Sequence, residues 1–141
     1  MFDLIIMLSR YLFLFYIILF LWQAVVYVAY EQGGYLGSPS RAVSIQKGVI
    51  VWLHVTAFLI LSYDPEMMLL DFKALSTGVA GLVFLLAAMV LLDKFYYEGC
   101  PLVWTGMLFL LDVSMIMLQR LDPALALRQL MWMSIGIAIM L

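Results

Sequence analysis

Charged residues are scarce in this chain. They make up 11% of its 141 residues, whereas hydrophobic residues make up 67%. A soluble domain carries about 25% charged and about 45–50% apolar residues. So few charges cannot cover a surface that faces water. The composition therefore excludes an ordinary soluble domain and indicates that lipid surrounds most of the chain.

Cysteine and histidine are equally rare, with Cys100 and His54 the single examples of each. One cysteine excludes an internal disulfide and a cysteine cluster for zinc. One histidine excludes a haem held by two histidines of the same chain. The net charge of −2 comes without a basic patch, so nucleic acid is not an expected partner. No catalytic triad, carboxylate pair or phosphate-binding loop is present, and no catalytic residue, metal or cofactor is predicted.

Long apolar runs are what the chain has instead. Four full runs and one partial run are Tyr11–Tyr30, Gly48–Tyr63, Leu75–Leu92, Leu102–Leu118 and a last one from near Leu130 to Leu141. A helix needs about 20 residues to cross the hydrocarbon core of a bilayer. The second run reaches that length if its helix starts near Val43. The last run, at about 12 residues, covers only about 18 Å of a ~30 Å core.

Helix is the expected structure of every run. Backbone groups in lipid must be hydrogen-bonded within the protein, which leaves helices or closed barrels. Barrel strands alternate apolar and polar residues, whereas these runs are apolar on all sides. The sequence predicts an all-α, polytopic membrane helix bundle of four transmembrane helices plus a truncated fifth. The first helix is expected to start before Arg10. The connections between successive helices are predicted at Glu31–Lys47, Asp64–Lys73, Asp93–Pro101 and Gln119–Arg128.

Three side chains within the predicted spans carry an amide, imidazole or carboxyl group: Gln23, His54 and Asp112. At 1.5 Å per residue, His54 and Asp112 differ in depth by about 6 Å, and Gln23 lies near the depth of His54. A carboxylate in mid-membrane costs at least ~2.5–3.5 kcal/mol, so Asp112 should face the bundle or be protonated. A hydrogen-bonded cluster that ties helices together is one interpretation. A proton or ion relay is the other, although relays usually contain several such groups.

Gly78 and Gly81 lie three residues apart on one helix face. Small residues at this spacing let membrane helices approach closely. We therefore predict close helix packing there and no ligand site.

The stretch from Asp112 to Leu141 resembles one known family. Met117-Leu118 ends a helix, Arg120-Leu121 follows, and Arg128-Gln129 precedes a helix containing Trp132. This pattern resembles the start of the core of the SEDS family, the FtsW/RodA/SpoVE cell-cycle proteins. Clostridial members carry extra leading helices, one with a pattern similar to Leu53-His54-x(3)-Phe58-Leu59. The chain departs from many members at Leu118–Leu121, where they carry Tyr-Ser-Ala-Ser.

The resemblance implies a function in peptidoglycan synthesis: lipid II glycan polymerisation in cell division, elongation or sporulation. Residues 1–110 would be leading transmembrane helices and residues 111–141 the truncated start of the core. The implied location is the bacterial cell membrane. The implied partners are a class B penicillin-binding protein and the undecaprenyl-linked precursor. The family's acidic catalytic residue lies on a large outer loop downstream of this stretch, so no residue here inherits that role.

The resemblance also implies an orientation, with Gln119–Arg128 outside and Asp93–Pro101 in the cytoplasm. The charges alone do not decide it, since four basic residues lie on one side and three on the other. Two other functions stay open. In the first, the chain is a complete small membrane scaffold or assembly protein. In the second, it is a proton or ion transport subunit that uses Asp112 and His54.

Overall fold

The structure, a computed structural model, describes residues 2–33, 38–64 and 69–141. Five helices account for most of them: α1 Phe2–Glu31, α2 Pro39–Leu61, α3 Phe72–Phe95, α4 Pro101–Leu121 and α5 Pro123–Met140. Each is long and apolar enough to cross a membrane. The predicted all-α membrane helix bundle is confirmed.

Large apolar side chains cover the outer faces of these helices. Trp22 on α1, Val90 on α3, Leu110 on α4 and Ile139 on α5 are all exposed. Contiguous apolar surface of this extent is not stable in water. The chain is therefore a multi-pass membrane protein whose lipid-facing side chains are apolar.

The described residues form two compact units, Met1–Leu53 and His54–Leu141. In the first unit, the Gln46 side chain donates a hydrogen bond to the Phe20 carbonyl at 3.3 Å. In the second unit, α3, α4 and α5 pack against one another. The buried side chains of that second unit include Leu85, Leu92, Leu108, Met115, Met133 and Ile137.

A short antiparallel pairing joins α2 to α3. The strands β1 Tyr63–Asp64 and β2 Leu69–Leu70 pair with Tyr63 opposite Leu70. The sequence predicted only a connection from Asp64 to Lys73. The pairing holds the two ends of that connection together.

Helix α5 begins earlier than predicted, and the predicted loop Gln119–Arg128 is wrong. Helix α4 continues to Leu121, and α5 starts at Pro123. Only Asp122 lies between them, in an extended conformation, because a proline disfavours the helical conformation in the residue before it. The 18 residues of α5 give a length of about 27 Å, against the 18 Å expected from a start near Leu130.

Helix α2 also begins earlier, so the predicted connection Glu31–Lys47 is wrong in its second half. The helix starts at Pro39, four residues before the predicted Val43. Proline fits the first turn of a helix because its missing N–H needs no partner there. Before it, α1 ends at Glu31, and Gly33 adopts a φ of 88°, which glycine reaches without steric cost.

Candidate functional site

The polar cluster at His54 is the best-defined site in the described residues. His54 on α2 and Asp112 on α4 lie in the same compact unit, with His54 Nδ1 2.5 Å from Asp112 Oδ1. Their side chains are 1% and 0% exposed. The sequence predicted similar depths for these two groups, and the structure brings them into contact.

Helix α3 joins the same cluster through its backbone. The second ring nitrogen of His54, Nε2, lies 2.9 Å from the carbonyl oxygen of Gly78. One imidazole therefore links α2, α3 and α4 at a single point.

The two glycines of α3 make this approach feasible. A Cβ added to Gly78 would lie 2.7 Å from Phe58 Cδ1, and one added to Gly81 would lie 2.8 Å from His54 Cε1. Such distances are shorter than van der Waals contact. Phe58 in turn stacks on the His54 ring, with centroids 4.5 Å apart. The predicted close packing at Gly78 and Gly81 is confirmed.

Helix α4 carries the buried polar atoms that have no hydrogen-bond partner among the described residues: Asp112 Oδ2, Gln119 Oε1 and Trp104 Nε1. Asp112 and Gln119 are seven residues apart, which is two turns along one helix face. A buried oxygen without a donor costs free energy. The cluster at His54 thus has one unsatisfied acceptor, Asp112 Oδ2.

A small groove between α2 and α3 borders the histidine. It encloses about 120 Å³, and its walls are apolar apart from His54, with Val55, Leu59, Leu75 and Val79 among its lining residues. Among the described residues, no further titratable side chain lines it. Within the part of the chain that the structure describes, no three His, Cys, Asp or Glu side chains meet as a metal site would require. The chemistry available here is hydrogen bonding and proton sharing between His54 and Asp112.

Gln23, the third predicted member, lies half-buried on α1. It belongs to the unit Met1–Leu53, whereas His54 and Asp112 belong to the other. Its part in the cluster stays a prediction.

The residues of the family-like pattern lie around the α4–α5 junction. Arg120 is in the last turn of α4 and is exposed. On α5, Arg128 is exposed, Gln129 is half-buried and Trp132 is 67% exposed. Arg128 and Trp132 are four residues apart and share one face. That face differs from the buried one, which carries Ala126, Met133 and Ile137.

Some buried polar residues were missed by the sequence reasoning. Gln46, which is 0% exposed, and Gln119, which is 5% exposed, had been assigned to connections. Two signals were available: Pro39 marks the start of α2 ahead of Gln46, and Asp122-Pro123 marks the boundary at which α4 ends just after Gln119. Tyr96, whose hydroxyl donates to the Met140 carbonyl, carried no comparable signal.

Comparison of the chain with protein families, with curated proteins and with solved structures finds no match.

Proposed function

We propose that this chain is the N-terminal membrane part of a SEDS-type protein of peptidoglycan synthesis, and that it is not catalytic by itself. The observation that carries the proposal is the stretch from Leu118 to Trp132, with Arg120 at a helix end and Arg128-Gln129 ahead of Trp132. In the family this stretch opens the core that polymerises the lipid II glycan in division, elongation or sporulation.

The geometry of the stretch supports this proposal in one respect. Helices α4 and α5 form a hairpin closed by Asp122 alone, and Arg128 and Trp132 lie on a side of α5 that the described helices leave exposed. A face with a charged and an aromatic residue can contact further helices of a core. The buried side of α5, at Ala126 and Met133, packs within its own unit.

The proposal implies that the protein is located in a bacterial cell membrane. There the complete protein would work with a class B penicillin-binding protein and take the undecaprenyl-linked precursor as its substrate. The residues described here would supply leading helices and the first hairpin of the core.

The transcript that encodes the chain tests the proposal. We expect the reading frame to continue past codon 141 into further apolar spans and a large outer loop that contains an acidic residue. The protein made in its host should then be much larger than 16.1 kDa, as measured by mass spectrometry of the membrane fraction. A stop codon directly after codon 141, with a 16.1 kDa product, would instead favour the small scaffold or assembly protein.

A further inference from the structure

We propose that His54 and Asp112 hold one shared proton in a closed clamp that fastens α2, α3 and α4, and that this clamp does not pass protons on. The inference stands apart from the proposed role in peptidoglycan synthesis. It rests on the two oxygen atoms that contact the imidazole nitrogens and on the burial of both side chains.

The tautomer of His54 follows from its contact with α3. Nε2 lies 2.9 Å from the Gly78 carbonyl oxygen, and a backbone carbonyl only accepts hydrogen bonds. Nε2 must therefore carry a hydrogen and donate it. This leaves Nδ1 as the nitrogen that exchanges a proton with Asp112.

The contact between Nδ1 and Asp112 Oδ1, at 2.5 Å, requires one proton between the two atoms. Without it, two lone pairs would face each other in a buried site. When the proton is bonded to Oδ1, a neutral carboxylic acid lies beside a neutral imidazole. When it is bonded to Nδ1, a carboxylate lies beside an imidazolium. The pair has no net charge in both forms, which lowers the cost of an acidic residue inside a membrane.

No onward path for the proton leaves this pair within the part of the chain that the structure describes. On the α3 side, the Gly78 carbonyl accepts a hydrogen bond but is an amide oxygen and does not take up the proton. On the α4 side, Asp112 Oδ2 has no hydrogen-bond partner among the described residues. The neighbouring groove is lined by apolar side chains such as Val55 and Val79. Proton relays need a series of titratable groups.

Nitrogen NMR tests the tautomer directly, because His54 is the single histidine and ¹⁵N-histidine labelling reports on one ring. In the full chain in lipid, we expect a protonated Nε2 and an Nδ1 signal shifted by a shared proton. In Asp112→Asn, the side-chain amide donates to Nδ1, so Nδ1 should become a pure acceptor while Nε2 keeps its hydrogen. Asp122→Asn, at the exposed start of α5, is the matched control and should leave both signals unchanged.

Two results of the NMR experiment would each overturn one part of the proposal. A wild-type ring without hydrogen on Nε2 would overturn the assignment of the Gly78 contact. An Nδ1 signal that is the same in the wild type and in Asp112→Asn would overturn the shared proton.

Proton flux tests the second half of the proposal. The chain is reconstituted in vesicles that contain a pH-sensitive dye, and an ionophore for potassium sets the membrane potential. We expect the same dye response as in vesicles without protein, for the wild type and for Asp112→Asn. A flux in the wild type that falls at least tenfold in Asp112→Asn would overturn the clamp and establish a relay.

Discussion

A carboxylate in the middle of a membrane helix needs a physical reason to be there. Insertion of Asp112 costs at least ~2.5–3.5 kcal/mol. The contact with His54 offsets this cost because the two groups together form a neutral, hydrogen-bonded pair. The sequence predicted their proximity from depth alone. It could not predict the second contact of His54, because the Gly78 carbonyl is a backbone group that no residue pattern reveals.

Replacing Asp112 separates the contribution of the hydrogen bond from that of the charge. Asp112→Leu leaves His54 Nδ1 without a partner and should lower the free energy of unfolding by about 1–2 kcal/mol, the upper range for such bonds between membrane helices. Asp112→Asn restores a donor and should stay within about 0.5 kcal/mol of the wild type. Unfolding in mixed micelles, followed by circular dichroism, measures both. Equal destabilisation by the two variants would contradict a hydrogen-bonded role.

Gly78 should tolerate no side chain. In Gly78→Ala the new methyl group overlaps Phe58, and overpacking of this kind costs about 1–3 kcal/mol. The matched control is Gly106→Ala on α4, where a Cβ meets nothing within 4 Å. The control should be neutral or stabilising by up to about 1 kcal/mol because alanine favours helix. The same unfolding measurement compares them, and a neutral Gly78→Ala would mean that α2 and α3 are not closely packed there.

At the scale of helices, polar residues at the ends set the boundaries. Asp71 accepts a hydrogen bond from the Lys73 amide at the start of α3, and Asp122 accepts one from the Ala124 amide at the start of α5, both at 2.9 Å. The sequence prediction followed apolar runs. It therefore predicted each helix of the described residues but missed first turns, such as the one from Pro39 and the one from Pro123.

Asp122 should matter most for the start of α5. Asp122→Ala removes the acceptor for the Ala124 amide, and loss of such a cap costs about 1 kcal/mol. Amide hydrogen exchange should then increase in the first turn of α5 more than elsewhere. Glu98→Ala, at an exposed position in the connection before α4, is the control and should leave that turn unchanged. Equal protection in the two variants would contradict the capping role.

At the scale of the whole molecule, five apolar helices establish a multi-pass membrane protein, and orientation is the next property to measure. The SEDS resemblance implies that the connection between α3 and α4 faces the cytoplasm. Cys100 lies in it and is exposed. An impermeant maleimide should therefore leave Cys100 unmodified in intact cells and label it in inverted vesicles.

A second position makes the orientation experiment decisive. Asp122→Cys in a Cys100→Ser background places the thiol between α4 and α5, at the end of α4 opposite to Cys100. If α4 spans the membrane, the two positions face opposite sides of it. It should react in intact cells. If the reagent labelled Cys100 but not Asp122→Cys in intact cells, the orientation would be the opposite of the one that the resemblance implies.

The sequence predicted the fold class of the chain but not the individual contacts between its helices. Apolar runs encode helices in lipid, so the fold class was predictable. Contacts such as the one between Tyr96 and the Met140 carbonyl depend on how helices pack, which no periodicity in a uniformly apolar helix specifies. The contact of Gln23 with His54 stays a prediction, because the two residues belong to different compact units.

The proposed role in peptidoglycan synthesis is tested most directly by glycan polymerisation. The product of the complete reading frame is purified with its class B penicillin-binding protein and given labelled lipid II, with an established SEDS pair as positive control. We predict polymeric glycan from the complete product, loss of polymer when the acidic residue of the downstream outer loop is neutralised, and no polymer from residues 1–141 alone. No polymer from the complete product, while the positive control polymerises, would contradict the proposal.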